Sequence, residues 1–268
     1  MELSTIDQPS YSAKLLLFGE YTIVNGGSAL AIPYDKYQGR WAVGTEDAGL
    51  QPFFEHLSGL EGCLLDRLQV AISNKWIFET DIPMGYGLGS SGALSAAAYK
   101  TFFKKEDLAL EDLKNRLSEI ESFFHGKSSG LDPLVCYTRM AVHIKEGNIR
   151  LLDPPTLPQK LTLYDSGLSR NGKPLIQYYL NRLKEEQAFA EVVVNLGRFN
   201  QRIITELLDG QDISQSFKEI SRLQFRYFKQ MIPDSIQAIW KRGLQDNSYY
   251  MKLAGAGGGG CFLVWGEV

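Results

Sequence analysis

The stretch Ile82-Pro-Met-Gly-Tyr-Gly-Leu-Gly-Ser-Ser-Gly-Ala-Leu-Ser-Ala-Ala-Ala-Tyr99 places Gly85, Gly87 and Gly89 directly before an alanine-rich run. Because so few Cβ atoms obstruct it, this backbone can turn several N–H groups toward one point. Alanine is a strong helix former, so the stretch predicts a glycine loop that opens a helix. The N-terminus of a helix suits a phosphate. A tight turn with Ser90 as an ordinary N-cap is the alternative.

Two standard nucleotide motifs are not supported. Gly87-Leu-Gly-Ser-Ser-Gly92 satisfies G-x-G-x-x-G, but residues 106–124 predict a further helix where the dinucleotide fold needs a second strand. Gly126-Lys127-Ser128 resembles the end of a P-loop, but Glu121 stands where that loop needs a glycine. The loop is therefore predicted to bind phosphate in some other way.

The composition describes a globular protein with room for one large domain or two ordinary ones, with 268 residues, 44% hydrophobic and 22% charged. A net charge of −3 gives no electrostatic case for a nucleic-acid or membrane partner. Cys63, Cys136 and Cys261 lack metal-ligand spacing and predict reduced thiols. With no signal pattern and no long apolar run, we expect a cytoplasmic protein.

Hydrophobic patterning predicts alternating strands and helices, with a lead-in at 1–12 and an irregular stretch at 46–60. The Pro-rich segment 153–158 predicts a linker, which gives domains at 1–155 and 156–268. The glycine run at 255–260 predicts a close backbone approach to another loop or to a ligand. Strands are predicted at 14–24, 37–45, 76–80 and 160–165 with a hairpin at 140–152, and helices at 60–73, 110–124, 175–182, 188–208, 213–231 and 236–244.

Several polar residues allow two interpretations. Glu121 lies near the C-terminal end of a predicted helix, where the dipole disfavours an acid, so it predicts either a neighbouring cation or a solvated surface glutamate. Asp132 is either a catalytic acid or the cap of a helix with Pro133 at its first position. His125 fits a helix terminus better than a base. Taken alone, Lys14 is interpreted as a lysine at the edge of a strand, and Glu20 is interpreted as a solvated acid in a loop.

Four separated segments together resemble the GHMP kinase superfamily, which includes galactokinases and the homoserine, mevalonate and phosphomevalonate kinases. The third segment, residues 121–132, is similar to the pattern of the mevalonate kinase branch, in which an acid is followed by His-Gly, then by Ser-Gly and an Asp. The segments are Lys14-Leu-Leu-Leu-Phe-Gly-Glu-Tyr-Thr-Ile-Val-Asn-Gly26, Pro83-Met-Gly-Tyr-Gly-Leu-Gly-Ser-Ser91, Glu121-Ser-Phe-Phe-His-Gly-Lys-Ser-Ser-Gly-Leu-Asp132 and Leu253-Ala-Gly-Ala-Gly-Gly-Gly-Gly-Cys261.

The resemblance implies an α+β fold, a two-domain α/β sandwich with an N-terminal domain like ribosomal protein S5 domain 2 and a ferredoxin-like C-terminal domain. It also implies ATP and Mg²⁺, with Ser91 and Glu121 holding the metal, Asp132 as the catalytic acid-base residue and Lys14 close to it. The implied phosphate-binding residues are Gly85, Tyr86, Gly87, Leu88, Gly89, Ser90 and Ser91. The implied substrate-side residues are Glu20, Tyr21, His125, Ser166, Gly257 and Gly258.

The departures from the family pattern fall mainly on the substrate side. Tyr21 replaces the histidine common in mevalonate kinases, Gly92 and Ala254 replace an alanine and a threonine, and Lys173-Pro174 replaces a threonine after Arg170. The leading hypothesis is a kinase that phosphorylates a small-molecule alcohol, with mevalonate first and phosphomevalonate or a sugar as the alternative. A non-catalytic ATP-binding regulatory protein is the alternative of another class, and a homodimer is left open.

Overall fold

The computed structural model describes residues 9–45, 49–170 and 172–268. The strands of this part of the chain are β1 Tyr11–Phe18, β2 Ala29–Val43, β3 Trp76–Thr80, β4 Ala141–Lys145, β5 Asn148–Leu152, β6 Leu161–Asp165, β7 Tyr250–Leu253 and β8 Cys261–Trp265. Its α-helices are α1 Gln51–Ser58, α2 Leu65–Ser73, α3 Ser90–Phe102, α4 Leu110–His125, α5 Leu131–Thr138, α6 Gly172–Glu185, α7 Gln187–Leu208, α8 Ser214–Tyr227 and α9 Asp234–Asp246.

The strands pair in two groups. In the first, the hydrogen-bonding order is β1-β2-β4-β5, with β3 also paired to β2. The start of β2 pairs with β4 (Ala29 with Ile144) and its end pairs with β3 (Val43 with Trp76), both antiparallel. In the second, the order is β6-β8-β7, again antiparallel, with Leu161 opposite Trp265.

The chain separates into two compact units. Unit 1 contains the described residues up to Lys14 together with Pro33–Pro83 and Leu88–Met140. Unit 2 contains Leu15–Ile32, Met84–Gly87 and Ala141–Val268. The predicted division between residues 155 and 156 stays a prediction.

The core of unit 1 is built around α3, whose alanines at 93, 96, 97 and 98 are fully buried. Small side chains allow α5 to pack closely against this helix. At Gly92 a Cβ atom would lie 2.9 Å from the backbone carbonyl carbon of Asp132, closer than real Cβ contacts allow. The alanine and glycine content of α3 therefore brings the start of α5 against the start of α3.

The core of unit 2 lies where α8 and α9 cover the sheet of β6, β7 and β8. Trp240 of α9 and Phe262 of β8 are fully buried and make an edge-to-face contact. The Trp240 indole donates a hydrogen bond to Ser221 on α8 at 2.8 Å, so this large side chain is buried without an unsatisfied donor. The sheet and its helices thus fix the strands on either side of the glycine run 255–260.

Most predicted elements are confirmed, including β3, the hairpin of β4 and β5, and the long helices. The predicted strand at 20–24 is wrong, because Thr22–Asn25 is a 3₁₀ helix entered through left-handed backbone at Tyr21 (φ 64°). The irregular stretch at 46–60 contains α1, which has a proline in its first turn and buries Phe53 and Leu57. The predicted lead-in is wrong from Tyr11 onward, where β1 begins; residues 1–8 and 46–48 lie outside the described part.

Across the part of the chain that the structure describes, no helix is both long and apolar enough to cross a lipid bilayer. The predicted α+β class is confirmed by this mixture of helices and antiparallel sheets.

Candidate active site

Unit 1 brings Lys14 and Asp132 together as an ion pair. The Lys14 Nζ lies 2.9 Å from Asp132 Oδ2, and the two side chains are 7% and 32% exposed. The backbone N–H of Lys14 donates to the Leu88 carbonyl at 2.9 Å. A Cβ atom on Gly89 would lie 2.7 Å from Lys14 Cγ, so glycine leaves room for the lysine stem beside the start of α3. The pair is therefore fixed on its lysine side and reachable on its carboxylate side.

Asp132 owes its position to the way α5 begins. Gly130 is the N-cap of α5, with φ of 72°, and Asp132 is the second residue of the helix. The alternative in which Asp132 caps a helix that starts at Pro133 is therefore wrong. An acid in the first turn is favoured by the helix dipole, and its side chain is available to pair with Lys14.

The start of α3 is not the tight turn capped by Ser90 that the alternative interpretation predicts. Its N-cap is Gly89, in left-handed conformation with φ of 76°, so the alternative with Ser90 as N-cap is wrong. Gly85 and Gly87 have φ of 78° and 75°, a region that glycine enters without strain. The backbone of the predicted phosphate loop thus requires glycine at all three positions.

Glu121 is buried in unit 1, being 4% exposed, so the solvated-glutamate alternative is wrong. Ser91 Oγ donates to its Oε1 at 3.0 Å, and Ser128 Oγ donates to its Oε2. The pKa of Glu121 is raised to about 7, chiefly by burial and also by the nearby charge of Asp132, while the two serine hydrogen bonds and the charge of Lys14 oppose the shift. Two helices and a loop therefore hold one carboxylate in a largely dry environment.

The raised pKa of Glu121 predicts a pH-dependent stability in the absence of metal and nucleotide. The folded state binds the proton more tightly than the unfolded chain, whose ordinary carboxyl value is 4.5. The stabilising contribution of Glu121 protonation to the free energy of unfolding is fully present below pH 4.5 and is lost as pH rises through about 7. Urea denaturation of wild type and E121Q should show wild type losing stability relative to the variant between these pH values. A constant difference would contradict the raised pKa.

His125 ends α4, as its helix-terminus interpretation predicted, and its Nε2 lies 3.1 Å from Ser91 Oγ. Because the Ser91 hydroxyl donates its proton to Glu121, its oxygen accepts from the His125 Nε2–H. This assigns the Nε2–H tautomer of His125 from the hydrogen-bond pattern. The substrate role predicted for His125 stays a prediction.

The donor set at Ser91 and Glu121 fits Mg²⁺. A buried carboxylate beside a hydroxyl supplies hard oxygen ligands, and Mg²⁺ completes its shell with water and nucleotide phosphates. Among the described residues, no group of three or more His, Cys, Asp or Glu side chains could hold a metal by itself. Ser91 and Glu121 therefore fit a cation whose remaining ligands come from a nucleotide and water.

In unit 2, Glu20 is part of a buried ion pair. It is 1% exposed, and its Oε1 lies 2.7 Å from Nζ of Lys252, which is fully buried. Gln224 donates to the same oxygen at 2.6 Å and accepts from the Leu253 N–H at 2.8 Å. Burial lowers the pKa of Lys252, and the charge of Glu20 opposes that shift. The solvated-loop interpretation of Glu20 is wrong; its predicted substrate role stays a prediction.

Tyr21 is also buried in unit 2. Its hydroxyl donates to the Ala256 carbonyl at 2.5 Å, and its ring packs against Tyr179 and Phe228. Burial raises the pKa of this hydroxyl, so it stays protonated at neutral pH. Tyr21 thus attaches the 3₁₀ helix after β1 to the glycine run, and its predicted role toward a substrate stays a prediction.

The glycine run of unit 2 packs as its composition predicted. The Gly258 N–H donates to the Met231 carbonyl at 2.7 Å, and a Cβ atom at Gly257 would lie 2.3 Å from that oxygen. Ser166 donates its N–H to the Gly260 carbonyl at 3.1 Å. The predicted close backbone approach is confirmed.

The guanidinium of Arg170 contacts several glycines of unit 2. Its Nη1 donates to the Gly257 carbonyl at 3.3 Å, and its backbone N–H donates to the Gly85 carbonyl at 3.2 Å. A Cβ atom at Gly87 would lie 1.8 Å from Arg170 Nη2, so any other residue there would displace the arginine. Gly87 therefore leaves room for the Arg170 guanidinium in addition to allowing the backbone turn.

Comparison with known proteins supports the interpretation of these motifs. Residues 57–139 match the family model described as the GHMP kinases N terminal domain. A mevalonate kinase of Thermococcus onnurineus is 25% identical over an alignment that covers 95% of this chain and 87% of that protein. The predicted resemblance to the GHMP kinases is confirmed. The prediction of an enzyme of the kinase class, with ATP as phosphoryl donor, is confirmed with it.

Solved structures of GHMP kinases share the fold. The L. major mevalonate kinase in complex with R-mevalonate has a TM-score of 0.67 at 15% identity, covering 98% of this chain and 88% of that one. The Streptococcus pneumoniae phosphomevalonate kinase in complex with phosphomevalonate and AMPPNP has a TM-score of 0.66 at 15% identity, covering 97% and 92%. At this identity the likeness concerns the fold and does not separate the two acceptors.

Sequence reasoning missed three residues of the two units: Ser128, Gln224 and Lys252. Ser128 belongs to the rejected P-loop match and to the segment 121–132, but neither pattern assigns it a role. The available signal for Lys252 is a lysine inside the short apolar strand Tyr250–Leu253, because a buried cation requires a buried acid. Nothing local in the sequence pointed to Gln224.

Proposed function

We propose that this chain transfers the γ-phosphoryl group of ATP to the primary alcohol of mevalonate in a Mg²⁺-dependent reaction. The observation that carries the proposal is the Lys14–Asp132 pair at 2.9 Å, in the same unit as the buried Glu121 and its Ser91 donor. The choice of mevalonate rests on the sequence relatives, since two mevalonate kinases that are 25% and 26% identical align over 95% of this chain. Mevalonate also carries a carboxylate, so the proposed acceptor site needs a cationic side chain to pair with it.

Asp132 is suited to accept the proton of the acceptor alcohol. Its carboxylate is partly exposed, so an alcohol can approach it, and a positioned carboxylate can take a proton as the oxygen attacks. Lys14 contacts that carboxylate from the buried side and stabilises negative charge on it or on the developing alkoxide. Phosphoryl transfer otherwise depends on positioning and charge neutralisation, with little covalent work for the protein.

The phosphates are proposed to bind at residues 85–91, and Ser91 and Glu121 are proposed to hold Mg²⁺. When bound, the cation would withdraw charge from the phosphate oxygens. Gly89 carries no side chain that could cap the first N–H groups of α3, which leaves them for an anion. A homodimer, a cytoplasmic location and the absence of nucleic-acid and membrane partners stay predictions.

An ADP-release assay with a panel of acceptors tests this proposal. With ATP and Mg²⁺, we expect ADP formation that depends on mevalonate and stops when the metal is chelated. Phosphomevalonate and galactose, at the same concentration, are expected to give rates at least about tenfold lower, because a site matched to one acceptor leaves polar groups unpaired with another. Preference for either alternative would reassign the acceptor, and no acceptor-dependent ADP would favour a non-catalytic nucleotide-binding protein.

A further inference from the structure

Ser128 lies inside the segment 121–132, between residues of the motif that carries the family resemblance, but is not one of them. That motif contains Glu121, the His-Gly pair at 125–126, the Ser-Gly pair at 129–130 and Asp132. The hydroxyl of Ser128 nevertheless donates directly to Glu121 Oε2. This contact lies within unit 1 and has no part in the phosphoryl-transfer steps proposed above.

The loop that contains Ser128 returns along α4. The helix ends at His125 with Gly126 as its C-cap (φ 76°), and Ser118 of the same helix donates its hydroxyl to the Ser128 carbonyl at 2.7 Å. Further along the loop, a Cβ atom at Gly130 would lie 2.3 Å from the Lys114 carbonyl oxygen. The loop is therefore held to α4 at both the side chain and the backbone of Ser128.

The Ser128 hydroxyl uses both of its hydrogen-bonding capacities. It donates to Glu121 Oε2 and accepts from the Gly130 N–H at 2.9 Å. Gly130 is the N-cap of α5, and Asp132 follows two residues later. One hydroxyl thus connects the carboxylate of Glu121 to the start of the helix that carries Asp132.

A glutamate carboxylate needs such a contact to keep one orientation. The last torsion of glutamate is broad and roughly two-fold, so its rotamer alone does not fix the two oxygens. In this structure Ser91 engages Oε1 and Ser128 engages Oε2, and a buried carboxylate oxygen is costly when it lacks a donor. Removing the Ser128 hydroxyl would free the carboxylate to rotate away from Ser91.

We propose that Ser128 is a positioning residue that orients the Glu121 carboxylate toward a divalent cation shared with Ser91. It acts through Glu121 and does not ligate the cation itself. This inference rests on the proposed function, because Ser91 and Glu121 are the predicted cation ligands. Partners that orient a metal ligand in this way typically account for about 10- to 100-fold in metal affinity.

The test measures ATP binding by isothermal titration calorimetry, once with saturating Mg²⁺ and once with EDTA. The ratio of the two affinities reports how strongly the cation site is coupled to the nucleotide, independently of turnover. In S128A this ratio is expected to fall about tenfold from the wild-type value, while the affinity in EDTA changes by less than about twofold. An S128A ratio within twofold of wild type would overturn the role of Ser128.

S122A is the matched control. Ser122 is a half-buried serine next to Glu121 on α4, but its hydroxyl donates to the Glu119 carbonyl at 2.6 Å and not to the carboxylate. Its ratio is expected to equal that of wild type. If wild type itself binds ATP equally well with and without Mg²⁺, the proposed cation site fails, and Ser128 has no cation ligand to orient.

A second pair of variants keeps the test decisive if S128A does not fold. S128T and S128V have nearly the same volume and differ by a hydroxyl against a methyl group. The positioning role is supported if S128T keeps the wild-type ratio of ATP affinities with Mg²⁺ and with EDTA, while in S128V this ratio falls about tenfold. Equal ratios in the two variants would overturn it.

Discussion

Asp132→Asn is expected to lower kcat about a thousandfold, within the roughly 10²–10⁴ range for a positioned general base. The amide keeps the shape of the side chain but cannot accept the alcohol proton, and it ends the ion pair with Lys14. The KM for ATP is expected to stay within about threefold, since the proposed role lies on the acceptor side. Steady-state kinetics with ATP, Mg²⁺ and mevalonate measure both parameters.

Asp112→Asn is the matched control for this variant. Asp112 is also an acid in the first turn of a helix of unit 1, but it is exposed to solvent on α4. Its kcat is expected to match wild type, which separates the loss of a proton acceptor from a general effect of charge. Turnover of D132N within tenfold of wild type would exclude Asp132 as the base.

Lys252→Met is expected to lower the free energy of unfolding by about 3–5 kcal/mol. The substitution removes the cation that lies 2.7 Å from Glu20 and leaves a carboxylate that is 1% exposed. It also removes donors from the carbonyls of Leu17 and Leu253, at 2.8 and 2.5 Å. Gln224 alone would then satisfy the carboxylate, because Glu20 Oε2 has no hydrogen-bond partner among the described residues.

A double variant shows whether the uncompensated charge causes the loss. E20Q combined with K252M removes both charges, so it is expected to be roughly 2 kcal/mol more stable than K252M alone. K229M, at an exposed lysine of the same unit, is expected to change stability by less than about 0.5 kcal/mol. Urea denaturation measures all three variants. A K252M stability within 1 kcal/mol of wild type would show that the pair contributes little.

The sequence predicted the residues of unit 1 because their signals are local. Glycine spacing and an alanine run identified the start of α3, and Glu121 stood out as an acid at the wrong end of a helix. The pairing of Lys14 with Asp132 was implied by the family resemblance, since no spacing rule joins residues so far apart in the chain. The structure places the two 2.9 Å apart.

The environment of Glu20 could not be predicted in the same way. Its partner Gln224 is 204 residues away, and the Lys252 side chain reaches it from β7, which follows α9. Such contacts depend on how α8 packs against β7, and hydrophobic periodicity describes one element at a time. Glu20 follows a glycine and therefore looked like a loop acid, although the fold buries it.

Tertiary packing explains two of the differences between the predicted and the observed secondary structure. The segment after Gly19 has β-prone residues, but left-handed backbone at Tyr21 turns the chain into a 3₁₀ helix. In α1 the buried apolar residues are Phe53, Phe54 and Leu57, which together span only about one and a half helical turns. Three positions over so short a stretch do not show a helical period. In both cases tertiary packing decided between conformations that the sequence left open.

The most direct test of the proposed reaction is ³¹P NMR of wild type and D132N with ATP, Mg²⁺ and mevalonate. For wild type we predict ADP together with a new phosphomonoester signal that couples to the protons of a CH₂–O group. For D132N we predict the same species formed about a thousandfold more slowly. Inorganic phosphate without a phosphomonoester, or equal rates for the two proteins, would contradict transfer to the alcohol with Asp132 as the base.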